Sequence, residues 1–243
     1  MWNIFRKEIS TLLSSVTGLG VILLFLVILS LFLWYMDGAY NILYGGYAEL
    51  SSFFNLAPWL LLFVIPAVGM RSFSEEYQTG TIEVLLTKPV GEFKVISGKF
   101  LAVWGFSIIM IFPTIVYVYA LKSLSLPGDH PDYSVIASGY IGLLLLSAVF
   151  SAASVAVSAA TKSQMVAFIG AVSLLFLLYF GLYGLGNFNL FGGLDYWLRS
   201  FALMSIFDRF SRGLIYMRDI ALLLLWTILF LKTAEFFVRH KKV

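Results

Sequence analysis

VTGLGVILLFLVILSLFLWY, residues 16–35, carries no charged side chain along its whole length. A helix needs about 20 apolar residues to cross the hydrocarbon core of a bilayer, so this stretch is long enough to span. The uncharged run that contains it, between Glu8 and Asp37, is far longer than the apolar region of a cleavable signal peptide. We therefore expect the segment to stay in the protein as its first transmembrane helix.

The composition of the rest of the chain agrees with a membrane protein. Hydrophobic residues make up 60% of the 243 residues and charged residues 12%, against about 45–50% and about 25% in an ordinary soluble domain. The charges fall in short clusters between long apolar runs, which leaves no stretch polar enough for a separate soluble domain. We predict one transmembrane domain over residues 1–243, with the lipid bilayer as its surroundings.

Hydropathy predicts six spans and an all-α membrane fold. The predicted spans are residues 16–35, 53–70, 100–121, 135–160, 165–186 and 220–238. The last span contains Lys232 and Glu235, which we expect to pair at i, i+3 near an interface. With an even number of spans, both termini lie on one side.

The distribution of Lys and Arg predicts which side that is. Eleven of these residues fall on the side of the termini and five on the opposite side. Because basic residues accumulate on the cytoplasmic side of membrane proteins, we expect both termini to be cytoplasmic. The net charge of +3 is too small and too scattered to favour a nucleic-acid partner.

Two segments outside the spans have amphipathic patterns. In residues 1–15, Trp2, Phe5, Ile9 and Leu12 share one helical face, which predicts an interfacial helix; a helix continuous with the first span is the alternative. Residues 187–219 are too polar to span and too aromatic for a free loop. We predict one or two short helices on the outer face, with a re-entrant segment as the alternative.

Several kinds of chemistry are disfavoured by the residues present. The interiors of the first five predicted spans contain no Asp, Glu or His, which argues against proton or sodium coupling and against haem ligation. The chain has no cysteine, so zinc–thiolate sites and thiol nucleophiles are excluded. Asp129, His130 and Asp132 stand beside prolines and a glycine, and we expect a turn there, with no metal.

The stretch from Gly91 to Lys99 bears a superficial likeness to a phosphate-binding loop. Six residues rather than four separate Gly91 from Gly98, and Phe100 stands where a magnesium-binding Ser or Thr is needed. We predict no catalytic site and no directly bound nucleotide.

Charge concentrates in the 29 residues between the second and third spans, residues 71–99, which carry four basic and four acidic side chains. Gly80 breaks a first helical run, Thr81 can cap a second one, and Pro89 ends it. The second run would place Leu85 and Leu86 on one apolar side. We expect such an apolar stripe to be buried against either a protein partner or the bilayer surface.

The residues of this loop resemble the signature of ABC-2 type transporter permeases. The positions that carry the resemblance are Glu75, Glu76, Gly80, Thr81, Glu83, Leu85, Leu86, Thr87, Pro89 and Val90, followed by Gly98 and Lys99. In the predicted outer segment, Phe207, Phe210, Arg212 and Gly213 lie in a stretch similar to the F-x-x-F-x-x-G segment of the same permeases. Within that family the chain most resembles the gliding-motility permease subunit of Bacteroidetes.

The resemblance implies a fold and a set of partners. An interfacial helix would precede six spans, and the loop after the second span would form a coupling helix that docks on a cytosolic ABC ATPase dimer. Leu85 and Leu86 would anchor that contact, and Thr87 and Pro89 would set the exit of the loop. The residues that would contact or orient the ATPase are Glu75, Glu76, Gly80, Thr81 and Glu83. ATP and magnesium would be bound by the ATPase, so the chain itself would not be an enzyme.

The same resemblance implies a multi-pass subunit in the bacterial inner membrane. A second permease copy, most simply in a homodimer, and an auxiliary gliding-motility membrane subunit would complete the assembly. A membrane scaffold or force-transmitting subunit that moves no cargo is an alternative, and a secondary carrier is disfavoured by the missing buried acid. The cargo and the direction of transport stay open.

Overall fold

The computed structural model of the chain describes residues 1–44, 49–81, 91–125, 131–187, 192 and 194–240. Within these ranges all regular elements are helical, and six helices are long and apolar enough to cross a membrane. The predicted all-α fold with six spans is confirmed.

The helices follow the order of the predicted spans. In chain order they are α1 (Trp2–Ser14), α2 (Val16–Ser30, continued by a π-helical turn Leu31–Tyr35), α3 (Ser51–Gly69), α4 (Arg71–Thr79), α5 (Glu92–Ile111, continued by a 3-10 turn Phe112–Ile115), α6 (Val116–Leu124), α7 (Tyr133–Ala160), α8 (Gln164–Phe176, continued by a π-helical turn Leu177–Gly181), α9 (Leu182–Asn187), α10 (Leu194–Phe201), α11 (Leu203–Ser211) and α12 (Met217–His240). A short 3-10 helix, Ile42–Tyr44, lies between α2 and α3.

The first two helices are separate elements. Ser15 has an extended backbone with φ −80° and ψ 138°, and its hydroxyl accepts a hydrogen bond from the Gly18 amide at 2.9 Å. This contact caps α2 at a residue type that favours helix starts. The chain therefore turns at Ser15, and the location of α1 in the membrane interface stays a prediction.

Helix boundaries extend beyond the predicted spans. The second candidate span runs from Ser51 to Thr79 and the third from Glu92 to Leu124, so much of residues 71–99 is helical rather than loop. Hydropathy marks where the membrane ends, whereas a helix continues for as long as its backbone hydrogen bonds and side-chain contacts are satisfied. Pro58 and Pro66 lie inside α3, a position that membrane helices tolerate when neighbouring groups satisfy the freed carbonyls.

Helix α7 is the centre of the bundle. Of the most hydrophobic part of this span 78% of residues are buried, more than in any other candidate span. Its small side chains allow close approach: a Cβ built on Gly69 of α3 would lie 2.6 Å from Ser154 Cβ, and one on Gly142 of α7 would lie 2.5 Å from Phe210 Cβ in α11. The small-residue face of α7 thus packs within the chain.

The bundle has two polar ends. At the end that carries the N-terminus, Arg239 of α12 pairs with Glu92 of α5 at 2.9 Å, and Lys232 makes the expected i, i+3 pair with Glu235 at 2.9 Å. Helices α10 and α11 lie at the opposite end. The predicted cytoplasmic loop and the predicted outer segment are therefore on opposite ends of the protein.

Candidate functional site

A buried lysine joins three helices at the end that carries the N-terminus. The Lys99 side chain on α5 is only 2% exposed. Its Nζ donates to Glu8 Oε1 of α1 at 3.1 Å, to Glu76 Oε1 of α4 at 2.8 Å and to the Ser72 carbonyl oxygen at 2.6 Å. We call Lys99, Glu8, Glu76 and the Ser72 carbonyl the Lys99 cluster.

Close packing of α1 on α5 brings the cluster together. Gly98 has no side chain, and a Cβ there would lie 3.0 Å from Ile4 Cγ2; at Gly105 it would lie 3.2 Å from Ile9 Cδ1. These glycines let the apolar face of α1 lie directly against α5, which places Glu8 beside Lys99. The Phe73 ring, with its centroid 5.1 Å from Lys99 Nζ, covers the ammonium from the α4 side.

A serine of α7 fixes the joint between α3 and α4. Ser158 Oγ donates to the Met70 carbonyl at 2.8 Å and accepts from the amides of Phe73 at 3.0 Å and Ser74 at 3.2 Å. Ser158 is fully buried, and such groups at helix ends need partners. This contact holds the start of α4 to the central helix of the bundle.

The far end of α4 is exposed. Gly80 has φ +69°, a left-handed conformation that glycine adopts without steric cost, and it ends the helix. The hydroxyls of Thr79 and Thr81, on either side of this glycine, lie 2.9 Å apart. Glu75 points to solvent. Helix α4 thus has a buried, anchored start and an exposed end that leads into the rest of the loop.

A polar cleft of about 400 Å³ opens between α1 and α4. Its lining includes Lys7, Arg71, Glu75, Glu76 and Lys99, so it carries charges of both signs. Glu76 Oε2 is buried and accepts no hydrogen bond from the described part of the chain. The cleft is the solvent-facing side of the Lys99 cluster.

Of the nine loop residues expected to take part in coupling to the ATPase, the structure places four, and five lie outside the described residues. Glu75 and Glu76 are on α4, and Gly80 and Thr81 follow it. Glu76 points inward to Lys99, and its expected part in contacting or orienting an ATPase stays a prediction. Glu83, Leu85, Leu86, Thr87 and Pro89 lie outside the described residues, as does the apolar stripe expected of them.

Some of the predicted outer-segment residues are buried in the core, and others lie on the surface. Phe207 and Phe210 are buried, and the Phe210 carbonyl accepts from Ser138 of α7 at 2.7 Å. Arg212 is exposed and pairs with Asp208 at 2.9 Å. Gly213 has φ +85°, which favours glycine at the turn after α11. These residues shape the outer end and do not meet the Lys99 cluster.

Two ion-paired groups were not predicted. Lys99 was counted as a cytoplasmic charge and as a position of the family signature, without a predicted contact, and Glu8 was assigned no role. Sequence spacing offers no signal that joins residues 91 positions apart. At the outer end, Arg209 donates to both carboxylate oxygens of Asp219 at 2.6 and 2.7 Å. The hydrogen bonds to Asp219 raise the pKa of Arg209 above its ordinary value.

Comparison with known proteins gives the family. The model for the ABC-2 family transporter protein matches residues 2–193 of the 243, a region that ends before α10. No curated protein matches the sequence. Members of the matched family are multi-pass membrane subunits that lack ATPase activity themselves and work with an ABC ATPase subunit. The match covers most of the chain and agrees with the six-helix fold, and the chain belongs to the ABC-2 transporter family.

Proposed function

We propose that this permease subunit converts ATP hydrolysis in a separate ATPase dimer into movement of its membrane helices, and that the ATPase docks on residues 71–99. The supporting observation is the Lys99 cluster, which ties α4 to α1 and α5 by buried polar contacts. In this proposal Glu75, Gly80 and Thr81 face the ATPase directly. Glu76 acts by holding α4 in place.

The contacts of α4 give the proposed movement a physical route. A push on the exposed end of α4 acts on a helix whose start is bonded to Ser158 of α7 and whose middle is bonded to Lys99 of α5. Because packed helices move as rigid bodies rather than deform continuously, such a push moves these helices together or breaks the polar contacts. Either response changes the positions of the membrane helices when the loop is pushed.

The remaining loop residues complete the proposed docking surface. We assign Leu85 and Leu86 as apolar anchors in a groove of the ATPase, Thr87 and Pro89 as the exit of the loop, and Glu83 as a polar contact. Two leucines fully buried in a partner contribute about 1.5–3 kcal/mol each. Their loss would therefore weaken docking strongly.

The ATP and magnesium belong to the partner in this proposal. The chain has no Walker-type loop, since Gly91 to Lys99 has the wrong glycine spacing. A second permease copy would complete a homodimer over the ATPase dimer, following the usual symmetry of such assemblies. The excess of Lys and Arg at the end that carries α4 supports cytoplasmic termini. The membership of the ABC-2 family supports a location in the bacterial inner membrane.

Replacing Leu85 and Leu86 with Asp tests the docking surface. Wild-type permease should retain the ABC ATPase through affinity purification in detergent, and the double variant should lose it. A matched control is Leu214→Asp, an exposed leucine after α11 at the opposite end. All variants must insert into the membrane at wild-type levels. Retention of the ATPase by the double variant, at wild-type stoichiometry, would exclude this docking surface.

The finer assignment, a gliding-motility transporter with an auxiliary membrane subunit, rests on the overall likeness of the compact, aromatic-rich chain to such permeases. A chromosomal deletion in the native bacterium should abolish colony spreading and leave growth unchanged. Normal spreading of the deletion strain would refute this assignment.

A non-transporting, force-transmitting subunit is the second candidate function. The observation that favours it is the absence of ionisable residues from the middle of the first five spans, which leaves no evident polar path for a hydrophilic cargo. ATP-dependent movement of any substrate in reconstituted vesicles would exclude a purely mechanical role.

A further inference from the structure

The third span is interrupted by a 3-10 turn. Helix α5 ends at Ile111, the turn covers Phe112–Ile115, and α6 continues from Val116 to Leu124. Pro113 has no amide hydrogen to donate, and the Val116 amide bonds the Pro113 carbonyl, three residues before it. A stretch of 3-10 geometry within a longer helix often marks a hinge, and proline is a common cause of kinks.

The two sides of this turn differ in how firmly they are held. In α5, twelve of the twenty residues are buried, and the Trp104 indole donates to the Leu144 carbonyl of α7 at 3.1 Å. In α6, all of whose nine residues the structure describes, Leu121 alone is buried. On the other side of this helix, Val116 and Tyr119 are more than half exposed. Local opening is easiest where few side chains are buried, so α6 is the weakly held part of the third span.

The turn itself is fixed to the centre of the bundle. The Thr114 hydroxyl donates to the Ile111 carbonyl at 2.6 Å. Since its one hydrogen is used there, it accepts from the Tyr140 hydroxyl of α7 at 3.0 Å. Thr114 is fully buried against this central helix. The turn therefore forms a fixed pivot, with α5 held on one side of it and α6 weakly held on the other.

The Tyr117 side chain joins α6 to α2 and α3. Its hydroxyl lies 2.8 Å from the Ser30 hydroxyl of α2. Its ring centroid lies 6.2 Å from that of Trp34 and 6.0 Å from that of Phe53 on α3. Ser30 directly precedes the π-helical turn Leu31–Tyr35, so Tyr117 contacts α2 at the point where its regular helix ends. Such π-helical turns occur frequently at functional sites.

We propose that α6 is a gate, which pivots at the turn Phe112–Ile115 and is held closed against α2 by Tyr117. On opening, the Tyr117 hydroxyl leaves Ser30, and the ring leaves Trp34 and Phe53. The first and third spans then separate at the end that carries α10 and α11, while α5 stays packed on α7. Because Phe53 is fully buried in the closed structure, the open gate exposes part of the apolar core to the membrane. The proposal does not depend on ATPase docking at the other end.

The test is the distance between two spin labels in the purified full-length permease, measured by electron paramagnetic resonance. The chain has no cysteine, so Tyr35→Cys on the first span and Leu124→Cys at the end of α6 carry one label each. Both side chains are more than half exposed. Leu124 lies about 12 Å along the helix from Val116, so a swing of about 20° moves it by about 4 Å. A second pair, Tyr35→Cys with Ile109→Cys of α5, reports on the part of the span before the pivot.

Removing the contacts of Tyr117 should populate the open gate. Tyr117→Ala should add a second distance, longer by about 4 Å, to the pair at positions 35 and 124 and leave the pair at positions 35 and 109 unchanged. Tyr117→Phe keeps the ring and loses the hydroxyl contact, so its open fraction should be smaller. Tyr119→Ala is the matched control, the same change on the exposed side of α6, and should give the wild-type distances.

Amide hydrogen exchange measures the same opening without labels. Loss of one hydrogen bond and one aromatic contact changes an opening equilibrium by about tenfold. The amides of α6 should therefore exchange about tenfold faster in Tyr117→Ala than in wild type, and those of α5 should not change. Ser30→Ala removes the partner hydroxyl and should act like Tyr117→Phe.

Three results would overturn the proposal. They are wild-type distances in Tyr117→Ala, an equal shift of both label pairs, and an equal effect of Tyr117→Ala and Tyr119→Ala. The second result would mean that the whole span moves without a pivot, and the third that α6 responds to any loss of side-chain volume. If Tyr117→Ala does not fold, Tyr117→Phe and Ser30→Ala carry the same test. Wild-type exchange of the α6 amides in both of these variants would then overturn the proposal.

Discussion

Replacing Lys99 with Met removes the one cation of the Lys99 cluster and keeps the length and apolar character of its stem. The carboxylates of Glu8 and Glu76 then lose a shared ion-pair partner at 3.1 and 2.8 Å. Truncating one partner of a buried ion pair costs about 3–5 kcal/mol. Because Glu8 and Glu76 are 24% and 16% exposed, water offsets part of this loss, and we expect about 3 kcal/mol.

A loss of about 3 kcal/mol should lower the melting temperature of the purified permease by about 6–12 °C, given about 2–4 °C per kcal/mol for a chain of this size. The matched control is Lys94→Met, the same change on an exposed residue of the same helix. Its melting temperature should stay within about 1 °C of wild type, since surface substitutions usually change stability by about 0.5 kcal/mol or less.

A triple variant distinguishes the proposed cause from a packing defect. Adding Glu8→Gln and Glu76→Gln to Lys99→Met removes the stranded carboxylates, and replacing a whole ion pair is often close to neutral. The triple variant should recover most of the lost stability. If Lys99→Met melts like wild type, or if the triple variant is less stable than the single one, the cluster does not hold α1, α4 and α5 together.

Two further predictions concern α7. Gly142→Ala places a methyl group 2.5 Å from Phe210 Cβ and should destabilise the protein by about 1–3 kcal/mol through overpacking, measured as a lower melting temperature. Gly184→Ala, whose added methyl group has its nearest atom at 3.9 Å, should leave the melting temperature unchanged. Equal melting temperatures of the two variants would contradict the close contact of α7 and α11. The Ser134 hydroxyl bonds Asp132 and lowers its pKa, so the cap that starts α7 contributes above the ordinary pKa and is lost as the pH falls through the lowered value. Protection of the amides in the first turn of α7, taken relative to the intrinsic exchange rate at each pH, should then fall in strong acid for wild type and should be low at all pH values for Asp132→Ala. Wild-type protection that does not change with pH would rule out the cap.

The spans could be predicted from sequence because each depends on a local property, the hydropathy of about 20 consecutive residues. The ends of the helices could not be predicted from hydropathy. Helix α5 begins at Glu92, about two turns before the apolar run that was predicted from residue 100, because a helix that leaves the membrane keeps its backbone hydrogen bonds. The pair of Lys232 and Glu235 was predictable for the same local reason, since i, i+3 neighbours share a helix face.

The ion pairs of Lys99 and Asp219 join different helices and could not be predicted. Lys99 and Asp219 are charged residues beside apolar runs, and hydropathy alone assigns such residues to the membrane surface. Their burial depends on partners contributed by other helices, Glu8 and Arg209. Only the tertiary arrangement of α1 on α5, and of α11 on α12, brings these charges together.

The central claim, that an ABC ATPase docks on residues 71–99, is tested most directly by cross-linking. The chain contains no cysteine, so Thr81→Cys can carry a single benzophenone, and Tyr216→Cys at the opposite end is the matched control. After illumination of the purified complex, the account predicts a permease–ATPase product from position 81 and none from position 216. An intact complex that gives no such product from position 81, or gives it equally from both positions, would contradict the account.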